Sequence, residues 1–145
     1  MAIDELKAKV IRFTEEAWNK GNLSVMDEIF TQDVVLHTPA IPEEKGLEAY
    51  KNILTDYRTD YPDFHVTIDE IIAEGNTVAD RWTCKATFTG PGKTAPIAGT
   101  GKKVIAKGTW VGHFVGGRIV ENWYTYDVMS WVQQAGIMPV PEEQK

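Results

Sequence analysis

The sequence predicts an α+β fold, in which a curved antiparallel sheet is closed by N-terminal helices into a cone with an internal pocket. Three observations carry this. Apolar residues recur at helical spacing through the first 61 residues, alternate strictly from Phe64, and then fill long strand-like runs joined by glycine-bearing turns. Helices first and strands afterwards is the order of segregated layers. A curved sheet closed by helices encloses space with apolar walls, the ordinary setting of a ligand site.

The elements follow in order. Ile3, Leu6, Val10, Phe13 and Ala17 recur at spacings of three and four, one face of an amphipathic helix that Gly21 stops. Ser24 and Asp27 have capping-box spacing, so Met26, Ile29 and Phe30 make a short second helix. Val34 to Leu36 is a short strand ending at His37, and residues 40–45 form a loop. Leu47, Tyr50, Leu54, Tyr57 and Tyr61 give a third helix, ended by Pro62. Phe64, Val66 and Ile68 alternate with His65, Thr67 and Asp69, so one face of this strand is buried. Glu74-Gly75-Asn76 is a hairpin turn, and residues 77–89 are a long strand. The stretch GPGKTAPIAGTG (90–101) holds four glycines and two prolines and is a loop. Residues 102–115 are the next strand, Gly116-Gly117 the next turn, and residues 118–126 the last strand. Residues 127–135 form a terminal helical turn, and 136–145 a frayed tail. No repeat or linker divides the chain, so residues 1–145 are a single domain.

Composition excludes several functions. A hydrophobic share of 43% and a charged share of 25% are ordinary globular values. Fifteen basic residues against 21 acidic ones leave a net charge of −6. Nucleic-acid binding and anionic-membrane binding both lack their basic footprint. A lone cysteine, Cys84, rules out an intrachain disulfide and a Cys-based zinc site. His37, His65 and His113 fall on different elements without metal-ligand spacing, so no metal is expected. Gly92-Lys93-Thr94 ends like a phosphate-binding loop, but Thr87 stands where the first glycine belongs, and the loop joins two strands. The two serines, Ser24 and Ser130, lie in no nucleophile elbow. With no signal-like start and no apolar run of about 20 residues, the expectation is a cytoplasmic protein off the membrane.

The chemistry-bearing stretch is residues 117–127. On a regular strand Ile119, Glu121, Trp123, Thr125 and Asp127 share one face. A carboxylate ending a largely apolar face is partly desolvated, which moves its pKa toward acid–base work. Asp127 also directly precedes Val128-Met129-Ser130-Trp131, which suits a helix N-cap, and the two roles are compatible. His37 either faces the pocket or is satisfied at its strand end. Arg81 either polarises a carbonyl or pairs with Glu121 on a neighbouring strand. Trp18, Tyr57 and Trp123 either line a cavity or pack in the core.

The segment GGRIVENWYTYDVMSWVQQAG resembles the closing segment of the SnoaL-like polyketide cyclase family, with Gly117, Ile119, Glu121, Trp123, Asp127, Gln134 and Gly136 fitting its pattern. YPDFH (61–65), VADRWT (78–83) and GKKV (101–104) resemble its upstream steps. The resemblance implies a nuclear transport factor 2-like cone, usually paired as a homodimer or higher oligomer. It implies a cofactor-free acid–base enzyme acting on a hydrophobic carbonyl compound by intramolecular aldol cyclisation or a related proton abstraction. Asp127 would be the acid–base residue. Phe88 stands where many members carry a histidine; His37, on the reading in which it faces the pocket, replaces the missing imidazole. Beside what the resemblance implies, Trp123, Arg81, Trp18, Tyr57 and Phe88 are the candidate substrate contacts. The alternatives are a non-catalytic small-molecule binding module, or a related isomerase or hydrolase, on the same cone.

Overall fold

The computed structural model describes residues 2–139. Helix α1 spans Ile3–Phe13 and runs on into a π-helical turn, Thr14–Asn19. The wider turn adds a residue to the buried stripe, so Ala17 and Trp18 both point inward. Gly21, at φ +75°, ends it in the left-handed region that a side chain disfavours. A 3₁₀ turn, Leu23–Val25, leads into α2 (Met26–Ile29) and strand β1 (Phe30–His37). The two-residue β2 (Glu44–Lys45) precedes α3 (Leu47–Asp60). Then come β3 (His65–Glu74), β4 (Thr77–Thr87), β5 (Lys103–Val115), β6 (Arg118–Tyr126) and α4 (Val128–Gln134).

One six-stranded curved sheet runs in the order β2-β1-β6-β5-β4-β3. Its four long strands pair as antiparallel hairpin neighbours, as their turns predict. β1 departs from that pattern by lying parallel to β6, so the sheet is mixed. The helices cover one face. Leu6, Val10, Phe13, Leu47, Tyr50 and Leu54 are all buried against it, the aliphatic and phenylalanine side chains each contributing roughly 1.5–3 kcal/mol by leaving water. The product is the α+β cone.

Three local devices shape the interior. In β6 the pairing slips between His113–Glu121 and Phe114–Ile119, leaving Val120 as an extra residue. Such a bulge reverses the faces of the strand beyond it. Asn122, Tyr124 and Tyr126 therefore face the helices, while Glu121, Trp123 and Thr125 face away. In β5, Gly108 and Gly112 let indoles lie on the strand. A Cβ at Gly108 would sit 2.4 Å from the Trp82 ring, and one at Gly112 would sit 2.3 Å from the Trp110 ring. Finally, Asp60 ends α3 fully buried. Its carboxylate accepts from the backbone N–H groups of Gly92, Lys93 and Thr94 and from the Thr94 hydroxyl, at 2.6–2.9 Å. Burial alone would raise its pKa, but these bonds hold it below the usual carboxylate value. The glycine-rich loop is thus pinned to the helix.

Gln134 fastens α4 to the sheet, bonding both the N–H and the C=O of Ile105 with its side-chain amide. The tail expected from residue 136 is hydrogen-bonded at its start, where Ile137 and Met138 donate to the Val132 carbonyl. Residues 140–145 of that expectation lie outside the described residues.

Candidate active site

Between sheet and helices lies a cavity of about 90 Å³, several times the ~10–15 Å³ that holds one water on this measure. Its walls are apolar and aromatic, including Trp18, Tyr57, Phe64, Trp82, Trp110 and Trp131. A second cavity, of about 230 Å³, shares Ile41, Ile53, Tyr57, Tyr126 and Trp131 with the first and carries Asp56 and Lys93.

Asp80 is the cavity's carboxylate. It sits on the inner face of β4, in step with Val78, Trp82 and Cys84, and is only 7% exposed. No hydrogen bond from the described residues reaches its Oδ1. Burial pushes its pKa up to about 7, because an ionised carboxylate is poorly solvated there. The same desolvation pushes the Cys84 thiol up to about 12, which leaves it protonated and unreactive.

Beside Asp80, reaching along the same sheet through Trp110 and Tyr124, stands a polar chain whose proton directions follow from its ends. The Asn122 amide nitrogen donates to the Val35 carbonyl at 3.1 Å, so Asn122 Oδ1 accepts. It accepts from Tyr50 Oη at 2.7 Å and from Trp110 Nε1 at 3.0 Å. Tyr50 spends its one proton there, so at the 2.5 Å contact with Tyr124 the Tyr124 hydroxyl donates. Trp18 Nε1 donates in turn to Tyr124 Oη at 3.1 Å. Every proton points toward Asn122, and both phenols are held far from ionisation, chiefly by burial.

Of the residues proposed from sequence, Trp18 and Tyr57 line this cavity. The others lie elsewhere. Asp127 is exposed and caps α4, accepting from Ser130 N–H at 2.9 Å. His37 follows inward-facing Leu36 and therefore turns outward, where its Nε2 lies 2.6 Å from a Glu121 oxygen and its ring stacks on Trp123. Trp123 itself is on that outer face because of the β6 bulge. Arg81 is exposed on the outer face and pairs with Asp69 and Glu70, not with Glu121. Phe88 is fully buried against Tyr61, outside the cavity lining. Sequence reasoning overlooked Asp80, Tyr50 and Tyr124. The available signal was parity: Asp80 is two residues from Trp82 and four from Cys84 on a strand with one buried face. Among the described residues no group of three His, Cys, Asp or Glu side chains is placed to hold a metal.

The model of the SnoaL-like polyketide cyclase family matches residues 8–135. The chain belongs to that family. No curated protein matches it. Three solved structures illustrate this cyclase-family protein's surroundings. One from Jannaschia sp. CCS1, assigned as a SnoaL-like polyketide cyclase, superposes with TM-score 0.84 at 18% identity, covering 94% of this chain and 95% of its own. One from Acidithiobacillus ferrooxidans, assigned as a polyketide cyclase, is 29% identical, with TM-score 0.78 and coverage of 94% and 98%. AclR from Streptomyces galilaeus, assigned as a hydroxylase, is 25% identical, with TM-score 0.79 and coverage of 97% and 87%. In this SnoaL-like protein, no described helix is long and apolar enough to cross a membrane.

Proposed function

We propose that this protein is a cofactor-independent acid–base enzyme acting on a hydrophobic carbonyl compound, with Asp80 in the role that the resemblance implied for Asp127. The observation that carries the reading is a nine-tenths-buried carboxylate, with one oxygen unpartnered, in the wall of an apolar cavity. Its pKa of about 7 is matched to general acid–base work at neutral pH.

The chemistry follows from the surroundings. Ionised Asp80 takes a proton from the carbon beside the substrate carbonyl. The C–H electron pair becomes the enolate, and the charge moves to the carbonyl oxygen. The Tyr124 hydroxyl, turning from Tyr50 about its Cζ–Oη bond, donates to that oxygen, supported by the N–H of Trp18. In a cyclisation the enolate carbon attacks a second carbonyl of the same molecule, and the new alkoxide takes the proton back from Asp80. The protein is read as a cytoplasmic homodimer or higher homo-oligomer, paired through the outer sheet face that bears Trp123 and the exposed Ile72 and Ile105.

The test needs no knowledge of the natural substrate. Exchange of the C2 protons of 1-tetralone in D₂O, followed by NMR, reads proton abstraction directly. Wild-type protein is expected to accelerate it and Asp80→Asn to abolish the acceleration. Unchanged exchange in Asp80→Asn would overturn the assignment. Binding of 1-tetralone without exchange by the wild type would favour the binding-module reading.

A further inference from the structure

Four tryptophans line the inner cavity, and three of them spend their indole N–H within the protein. Trp18 donates to Tyr124, Trp110 to Asn122 and Trp131 to Tyr61. Among the described residues Trp82 alone of the four finds no acceptor, although it is only 8% exposed. Buried donors without an acceptor are rare in native proteins because the lost hydration is not replaced. Trp82 is also held in place. It packs over Gly108 and against the Tyr126 ring, with centroids 5.8 Å apart. A phenylalanine would fill much of the same slot without stranding a polar atom.

Trp82 and Asp80 are two residues apart on one strand face, so the unpartnered donor and the unpartnered carboxylate oxygen occupy adjoining rows of the same wall. Asp80 shares its row with Trp110 and Tyr124, and Trp82 shares the next with Gly108 and Tyr126. We propose that the Trp82 N–H is a specificity determinant that donates to a second oxygen of the substrate, separate from the carbonyl oxygen facing Tyr124. The assignment rests on the reading of this cavity as the carbonyl site. The ligand class narrows accordingly to hydrophobic ketones bearing a further acceptor, such as a hydroxyl, ether or second carbonyl. A site built around an unpaired donor rejects analogues that leave it unpaired.

Calorimetric titration of 1-tetralone and 4-hydroxy-1-tetralone, which share ring and ketone, tests this. Wild-type protein is expected to bind the hydroxyketone about tenfold more tightly, the worth of one ordinary hydrogen bond. Trp82→Phe is expected to erase that preference, read as the ratio of the two affinities. Replacing Trp82 with 3-benzothienylalanine, which substitutes sulfur for N–H at nearly constant shape, should do the same and guards against a misfolded phenylalanine variant. Equal weakening of both ketones, a preference that survives either replacement, or no preference in the wild type would overturn the proposal. The proton-exchange assay on Asp80→Asn reports separately. Lost exchange with an unmoved preference condemns Trp82 alone, and unchanged exchange with a lost preference condemns only the acid–base reading.

Discussion

Asp80 and Tyr124 lie on one transverse row of the sheet, with Trp110 between them on β5. Two strand spacings put their Cα atoms about 9–10 Å apart, and both side chains line the same cavity. Asp80→Asn keeps the shape and removes the base, so proton exchange from 1-tetralone should fall by about 10²-fold or more. In the wild type the exchange rate should climb with pH and level off above about 7, where Asp80 is ionised. A flat pH–rate profile would point away from this carboxylate.

The same residue should leave a mark on stability. Asp80 ionises near 3.8 when unfolded and near 7 when folded. Between those values the unfolded chain has released a proton that the folded one retains, so rising pH favours unfolding. The stability Asp80 supplies is whole below the unfolded value and gone above about 7. Asp80→Asn should therefore gain about 2–4 kcal/mol over the wild type at pH 8 and almost nothing at pH 4. Urea melts at the two pH values measure the difference.

Asp127 is expected to behave as a cap. Asp127→Ala removes the acceptor for Ser130 N–H and should cost about 1 kcal/mol, whereas Asn, an equally good N-cap, should cost little. Asp127→Asn should retain most of the exchange activity. Because α4 carries Trp131 into the cavity four residues later, the alanine variant should also weaken 1-tetralone binding.

Asp60→Ala strands three backbone N–H groups and one hydroxyl of the loop. A loss of about 3–5 kcal/mol is expected, as for breaking a buried charged network. Amide hydrogen exchange at residues 92–94 should quicken most. In the wild type this contribution, from a lowered pKa, is complete above the ordinary value of 3.8 and fades as pH falls below it.

Gly112→Ala drives a methyl into the Trp110 ring. Displacing that indole breaks its bond to Asn122 and disturbs the end point of the polar chain. A destabilisation of about 1–3 kcal/mol is expected in thermal melts, together with slower proton exchange.

Much of the architecture was legible because it rests on local signals. Helical spacing marked α1 and α3, alternation marked β3, and glycine turns marked the hairpins. The site was harder to read for identifiable reasons. A carboxylate at an inward position contradicts its residue type, so Asp80 was passed over although its parity with Trp82 was visible. The β6 bulge reversed the strand's faces, which sent Trp123 and Glu121 outward and brought Asn122, Tyr124 and Tyr126 in. No residue type announces that slip, since it depends on pairing with β5. His37 sat one residue beyond the inward Leu36, a difference that end-of-strand position could not reveal. The π-helical turn likewise carried Trp18 inward from the edge of its predicted stripe.

The parallel pairing of β1 with β6 bears on how the chain is made. β1 is translated well before β6, the long strand it pairs with, and β2 on its other side is only two residues long. Until the ribosome has released β6, the N-terminal helices have no sheet wall at that side to fold against. Truncated products and stalled chains should therefore leave the cone unclosed, with its aromatic lining open to chaperones.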